Sequence, residues 1–244
     1  MRADVRIGTS GWEYREWAGT FYPHGLSRDR WLEHYATEFE TVELNSPFYR
    51  LPDAEVFRGW SRRVPAEFRF AVKASRYMTH VRRLHEPRES LDRFWSRARH
   101  LGPRLGPVLY QLPPRWKPNA ERLQAFLAAL PRADQVIEFR DRRWYGSRTL
   151  TALAEANVAL CLHDMSGSAP RPEPLGPFVY VRFHGYGSRY GGRYSSQQLS
   201  AWADRIARWS SAGMPTWAYF NNDLGGHAVR DAFRLRMMVA RRTG

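Results

Sequence analysis

Side chains able to hold an anion or move a proton recur in this chain at one kind of place, the end of a short apolar run. Glu43 and Asn45 close "TVELN", Lys73 closes "FRFAVK", Gln111 closes "VLYQ", and Glu138 and Arg140 alternate in "VIEFR". His163 ends "VALCLH", Arg182 and His184 alternate in "VYVRFH", and Ser10 and Asn221 end "RIGTS" and "WAYFN". Arginine's planar fork suits bidentate contact with carboxylate or phosphate, and lysine is a compact charge whose pKa falls readily on burial. Histidine titrates near neutrality. Glu43, Lys73, Glu138 and His184 are therefore the candidates for acid/base chemistry. Arg140 and Arg182 are the candidate anion holders, and Ser10, Trp12, Asn45, Gln111, Asn221 and Asn222 are candidates to orient a substrate. Only Lys73 and Lys117 among the 38 basic residues are lysines. A lysine at such a strand end suggests lysine-specific work: phosphate contact, proton transfer or a Schiff base. The competing structural reading is a simple ion pair with Glu43 on the neighbouring strand.

What positions these residues is a regular alternation of β-type and helical segments. Apolar, β-branched or aromatic runs bounded by polar turns predict eight strands, at 5–10, 41–45, 69–74, 107–111, 135–140, 158–163, 178–184 and 216–221. Three- and four-residue apolar spacing predicts helices at 89–100, 120–130, 195–212 and 228–240, with shorter ones at 29–38, 54–63 and 147–156. Eight β-then-α units of about 30 residues, with no composition break, are the layout of a single-domain α/β protein, a (β/α)8 TIM-type barrel spanning 1–244. A doubly wound open sheet is the competitor, but no glycine-rich dinucleotide fingerprint follows the first strand. Prolines cluster at 103–118 and 170–177, as loops within one domain.

Alternate residues of a strand point to opposite faces, so in a barrel one set meets the helices and the other the lumen. Val42, Leu44, Phe70, Val72, Ile137 and Phe139 then face the helices, and Ser10, Glu43, Asn45, Lys73, Gln111, Glu138, Arg140, His163, Arg182, His184 and Asn221 face the lumen. They gather at the C-terminal ends of the strands, where barrels of this kind carry their active sites. A satisfied salt-bridge network would also explain them, but the clustering at one end favours a solvent-filled pocket for a polar ligand.

The chain's 244 residues carry a formal charge of +14. That admits a polyanionic partner, including nucleic acid, although arginines scattered without runs also fit a general arginine bias. The loop aromatics Trp12, Tyr14, Trp17, Phe21, Tyr22, Tyr186, Tyr190 and Tyr194 would stack on bases or sugars in that reading, and pack the loops in the plainer one. Cys161 is the only cysteine, which excludes an internal disulfide or a thiolate zinc cluster. No apolar leader or membrane-length stretch is present, so a soluble cytoplasmic protein with no membrane contact is expected. Glu43, Glu138, His163, Asp164, His184, Asp223 and His227 are metal-ligand types, but they lack a spacing such as H-E-x-x-H and alternate with cations. No metal site or cofactor is assigned, and a functional metal stays the alternative.

The stretches "GTSGW" (8–12), "FYP" (21–23), "TVELNSPFYRLP" (41–52), "FRFAVKASRYMTH" (68–80), "LGPVLYQLPP" (105–114), "EFR" (138–140), "YVRFHG" (180–185) and "FNNDLGGHA" (220–228) give the chain a likeness to a known family. In order and over nearly the whole length, it resembles the YecE-like family, domain of unknown function 72. The resemblance implies a TIM-type barrel and carries no reaction with it; His163 departs from the small residue frequent before Asp164. The residues themselves point to an enzyme, a hydrolase or lyase, acting by acid/base chemistry on a small anionic substrate of nucleotide or sugar type. A nucleic-acid-binding or metal-dependent nuclease-like protein and a non-catalytic ligand sensor are the alternatives. Phosphate sites in such barrels use the loops after strands seven and eight and a helix N-terminus. "HGYGSRYGG" and "NNDLGGHAV" occupy those places, with Gly225 and Gly226 admitting close backbone approach and Asp223 capping the last helix.

Overall fold

The computed structural model describes residues 2–170, 173–185 and 191–244. Eight parallel strands run in order around one sheet: β1 (Val5–Thr9), β2 (Thr41–Leu44), β3 (Arg69–Lys73), β4 (Leu105–Gln111), β5 (Gln135–Glu138), β6 (Ala159–His163), β7 (Val179–Phe183) and β8 (Thr216–Phe220). β1 pairs with β8 along its length, and a bridge between Ser10 and Glu43 brings β1 to β2, so the sheet curls into a nearly closed TIM-type barrel. The helices are α1 (Trp31–Glu38), α2 (Ser46–Tyr49), α3 (Ala54–Arg62), α4 (Pro87–Ala98), α5 (Ala120–Ala129), α6 (Ser147–Glu155), α7 (Ser196–Ser211) and α8 (His227–Thr243).

Seven of these helices match the expected segments to within a few residues. The sixth of the eight expected β-then-α units differs: among the described residues no helix lies between β6 and β7. Proline, which cannot donate to a helix and clashes with its preceding turn, stands at 170, 172, 174 and 177 in that connection. The additional short helix, α2, starts at Ser46 with Pro47 in its first turn, where a proline's missing N–H costs nothing. A π-helical turn, Tyr77–Val81, also follows β3.

Two apolar cores follow from the strand alternation. Val42, Leu44, Phe70, Val72, Ile137 and Phe139 pack outward against the helices. The lumen is filled by Ala71, Leu109, Val136, Ala159, Cys161, Phe178, Tyr180, Trp217 and Tyr219. Large aromatic side chains thus plug one part of the barrel and leave the polar residues at the strand C-termini.

The seam between β1 and β2 depends on Gly8. A Cβ at this position would lie 2.2 Å from the Thr41 carbonyl oxygen and 3.0 Å from the Tyr35 hydroxyl. That hydroxyl ties the two strands together, bonding Thr9 N–H at 3.0 Å and Thr41 O at 3.1 Å. Gly8→Ala is expected to force the seam apart and lower stability by about 3 kcal/mol, which chemical denaturation would measure.

Candidate active site

The centre of the polar layer is Arg182, contributed by β7 and 1% exposed. Its Nε donates to Glu43 Oε2 at 2.9 Å and its Nη2 to Glu43 Oε1 at 2.8 Å, so β7 grips β2 across the lumen with a two-pronged contact. Its Nη1 donates to Glu138 Oε2 at 2.8 Å, and Arg140 Nε donates to the other Glu138 oxygen. Tyr180 O–H adds a bond to Glu43 Oε2 at 2.7 Å, and Ser10 Oγ donates to Glu43 Oε1. Burial alone would raise both glutamate pKa values. For Glu43 the charge and hydrogen bonds of Arg182, with those from Ser10 and Tyr180, outweigh it; for Glu138 the charges of Arg140 and Arg182 do, so both remain ionised. Two carboxylates and two guanidiniums thus satisfy one another inside the barrel.

This network absorbs several residues expected to meet a ligand. Arg182 has its donors on carboxylates, and Arg140 Nη2 donates to His184 Nε2 at 2.8 Å and, more weakly, to Gln111 Oε1 at 3.4 Å. His184 does not titrate near neutrality as expected: burial first, and the charges of Arg182 and Arg140, push it down to about 4 against the opposing effect of Asp164. His163 is also buried, its Nε2–H pointing at Phe139 O at 2.9 Å and its Nδ1 accepting from Met165 N–H at 3.3 Å. Trp12 packs edge-on against Trp60, with ring centroids 5.6 Å apart. Among the described residues no three histidine, cysteine, aspartate or glutamate side chains converge where they could share a metal ion.

A cavity of about 430 Å³ opens at the strand C-termini, lined by Tyr14, Glu16, Asn45, Tyr49, Lys73, Asn221, Asp223 and Leu224. Three predicted site residues, Asn45, Lys73 and Asn221, therefore meet there. Lys73 projects from the end of β3 over the face of Phe48, 3.9 Å from the ring centroid. Among the described residues it has no ion-pair partner, so the expected alternative of a pair with Glu43 is not what the structure shows: Glu43 is held by Arg182. Burial, then repulsion from Arg182, lowers the Lys73 pKa to about 7. Asn45 Nδ2 donates to Ser10 Oγ at 2.5 Å, joining the cavity wall to the buried network.

Asp223, read from sequence as a helix cap, makes no such bond. The helix it was expected to cap begins later, after a tight turn at Leu224–Gly226, and its N-cap is Gly226 in the left-handed conformation. The aspartate instead turns into the cavity, its Oδ1 buried and without a hydrogen-bond partner among the described residues. Burial raises its pKa to about 7 against the opposing effect of the Tyr14 hydroxyl. Tyr14 is itself fixed by a 2.5 Å bond from its hydroxyl to Ser10 O, under Gly11, whose φ of +96° and absent Cβ leave the ring its place. Gly225 and Gly226 do not line the cavity; a Cβ on Gly226 would instead lie 3.7 Å from Trp17.

Asn222 is not brought to the cavity either. It is wholly buried, and its Nδ2 donates to Gly192 O at 2.9 Å and Asp231 Oδ2 at 3.0 Å. Asp231, on α8, also accepts from Tyr194 N–H at 3.1 Å and Arg234 Nη1 at 2.9 Å. Asn222→Ala is expected to destabilise the protein by about 1–3 kcal/mol while leaving ligand affinity unchanged, as denaturation and binding titrations would show.

The loop aromatics are mostly packing residues. Trp17 is fully buried, Tyr22 stacks on Trp31 with centroids 4.5 Å apart, and Tyr194 lies edge-on to Phe183 at 5.6 Å. Tyr186 and Tyr190 lie outside the described residues. The exposed aromatic at the cavity is one that periodicity did not single out, Tyr49, 79% exposed at the end of α2. Among the described residues no helix is long and apolar enough to cross a membrane.

Residues 6–244 match the model of a family described as "Protein of unknown function DUF72". The UPF0759 protein YunF of Bacillus subtilis is 27% identical over 92% of this chain and 91% of its own length. The UPF0759 protein YecE of Escherichia coli K12 is 31% identical over a shorter match, 52% of this chain and 44% of its own length. A solved DUF72 family protein from Thermotoga maritima superposes with a TM-score of 0.87 at 28% identity, covering 97% of this chain and 99% of that one.

Proposed function

The chain belongs to the DUF72 family, and on that premise we propose that it is an enzyme moving a proton on a small polar molecule at the barrel mouth. The observation that carries this reading is the meeting of Lys73 and Asp223 on one cavity, both outside the ion-paired network and without ion-pair partners among the described residues. Burial brings both toward neutrality, so each can give or take a proton near the operating pH. Asn45 and Asn221 orient the substrate. Glu43, Glu138, Arg140 and Arg182 form the rigid floor that holds Asn45 and sets the charge around Lys73. The expected anion-holding arginines being ion-paired, an electron-rich substrate oxygen has Lys73 as its cationic contact. The nucleic-acid reading keeps the net charge but loses the aromatics that would stack, since most pack the loops.

Hydrogen–deuterium exchange tests this. A panel of hexoses, hexuloses and their phosphates, incubated with the protein in D2O and followed by proton NMR, is expected to show enzyme-dependent exchange at a carbon next to a carbonyl in at least one compound. Lys73→Met and Asp223→Asn are each expected to slow it by about 10²–10⁴-fold. Exchange at an undiminished rate in both variants would show that proton transfer is not theirs.

A further inference from the structure

The walls of the cavity also constrain what enters it. Their charged residues are Lys73, Asp223 and Glu16. The charges behind them cancel, two carboxylates against two guanidiniums. A dianionic phosphate group entering here would meet one amine and two carboxyl groups, an unfavourable balance.

The hydrogen-bonding pattern has the same sense. Ser10 Oγ gives its single proton to Glu43, which is held ionised and can only accept. The serine oxygen can therefore only accept from Asn45, which fixes the asparagine's amide with Nδ2 toward Ser10. Asn45 Oδ1 is left as an acceptor closed off from bulk water and without a partner among the described residues, as is Asp223 Oδ1. Two residues of the polar wall, Asn45 and Asp223, thus each carry an unsatisfied acceptor beside one amine donor, with the Asn221 amide offering both functions. A phosphate dianion, acceptor only, would set lone pairs against lone pairs at two of these points. A hydroxyl both donates and accepts, so a ring or chain bearing several hydroxyls matches all of them. At the mouth, Tyr49 and Leu224, 79% and 63% exposed, offer apolar surface for the C–H face of such a molecule.

Resting on the proton-transfer reading of this same cavity, we propose that its substrate is a neutral polyhydroxylated molecule, a free sugar or polyol, whose hydroxyls meet the Asn45, Asn221 and Asp223 side chains beside Lys73.

Saturation-transfer NMR and calorimetric titration of the whole protein with D-glucose, D-fructose and D-mannitol test it, alongside the hexose 6-phosphates, mannitol 1-phosphate and uridine. At least one neutral compound is expected to bind about tenfold or more tightly than its phosphate ester. Asn45→Leu is expected to weaken that binding about tenfold, and Tyr49→Ala, on an exposed side chain that leaves folding intact, by several-fold. Tighter binding of the phosphates, binding of uridine alone, or no binding of any neutral compound overturns the proposal. Exchange catalysed only in a phosphate ester would sink it and leave the proton-transfer reading standing. Neutral sugars that bind without any exchange would do the reverse.

Discussion

Lys73→Met is expected to make the protein more stable at neutral pH while slowing the proposed proton exchange. Unfolded, the Lys73 amine has its ordinary pKa of 10.5; folded, burial and Arg182 hold it near 7. Between those values the unfolded chain binds a proton that the folded chain does not, so wild-type stability falls as pH is lowered from about 10 to 7 and then levels off. At about 1.4 kcal/mol per pH unit, this depression amounts to roughly 5 kcal/mol, less about 1 kcal/mol for the lost contact with Phe48. The methionine, similar in shape and uncharged, escapes the penalty. Its advantage is therefore a few kcal/mol at pH 7 and below, and disappears toward pH 11. Denaturant unfolding of both proteins from pH 6 to 11 would show the two stabilities converging at the alkaline end. Parallel curves would mean that the amine is not desolvated as the fold implies. Asp223→Asn has the opposite pH sense. The carboxyl is held up to about 7, so wild-type stability falls as pH rises from about 4 to 7, and the amide gains most above that range.

Arg182→Met is expected to do the reverse and cripple folding. The substitution leaves Glu43 with only hydroxyl donors and Glu138 with Arg140 alone, both fully buried. Breaking a buried pair in this way costs about 3–5 kcal/mol, because the Glu43 charge is left with neither water nor an opposite charge. In the wild type the depressed carboxyl pKa values contribute stability that is present above about pH 4 and lost as pH falls through the folded values. In the variant those carboxyls protonate readily, so the gap from wild type should narrow in acid. Arg182→Lys, keeping the charge without the fork, should lie between the two. A stable Arg182→Met protein with ligand binding abolished would instead make the arginine a binding residue.

These two substitutions separate what was legible in the sequence from what was not. Strand alternation is local and has a period of two, so the inward direction of Lys73, Arg182 and Glu138 follows from the residues beside them. Which of them touch does not follow. Glu43 and Arg182 stand 139 residues apart, and only the closure of the barrel brings them within 2.8 Å. Alternation therefore finds the polar lumen without distinguishing ion-paired floor from open wall. Lys73 was visible by contrast, a rare lysine at an inner strand end in an arginine-rich chain. Asp223 was not, because an aspartate shortly before a helix reads as a cap, and nothing in "NNDLGGHA" shows that a turn at Leu224–Gly226 delays the helix and swings the carboxylate into the cavity. Two glycines in succession, both with positive φ, were the available signal. The aromatics in "GWEYREWAGTFYP" carry the same composition whether they stack on a ligand or on each other, and only the packing of Tyr22 against Trp31 decides it.

The scarcity of lysine offers the most direct test of the central claim, that the cavity holds a buried amine able to exchange a proton near neutrality. With only Lys73 and Lys117 in the chain, protein labelled with carbon-13 at lysine Cε gives two resonances, assigned by Lys117→Arg. On titration from pH 5 to 11, the Lys73 resonance is predicted to shift with a midpoint of about 7 and to be absent from Lys73→Met. A Lys73 resonance that stays in its protonated position up to pH 10 would contradict the assignment of this amine to proton transfer.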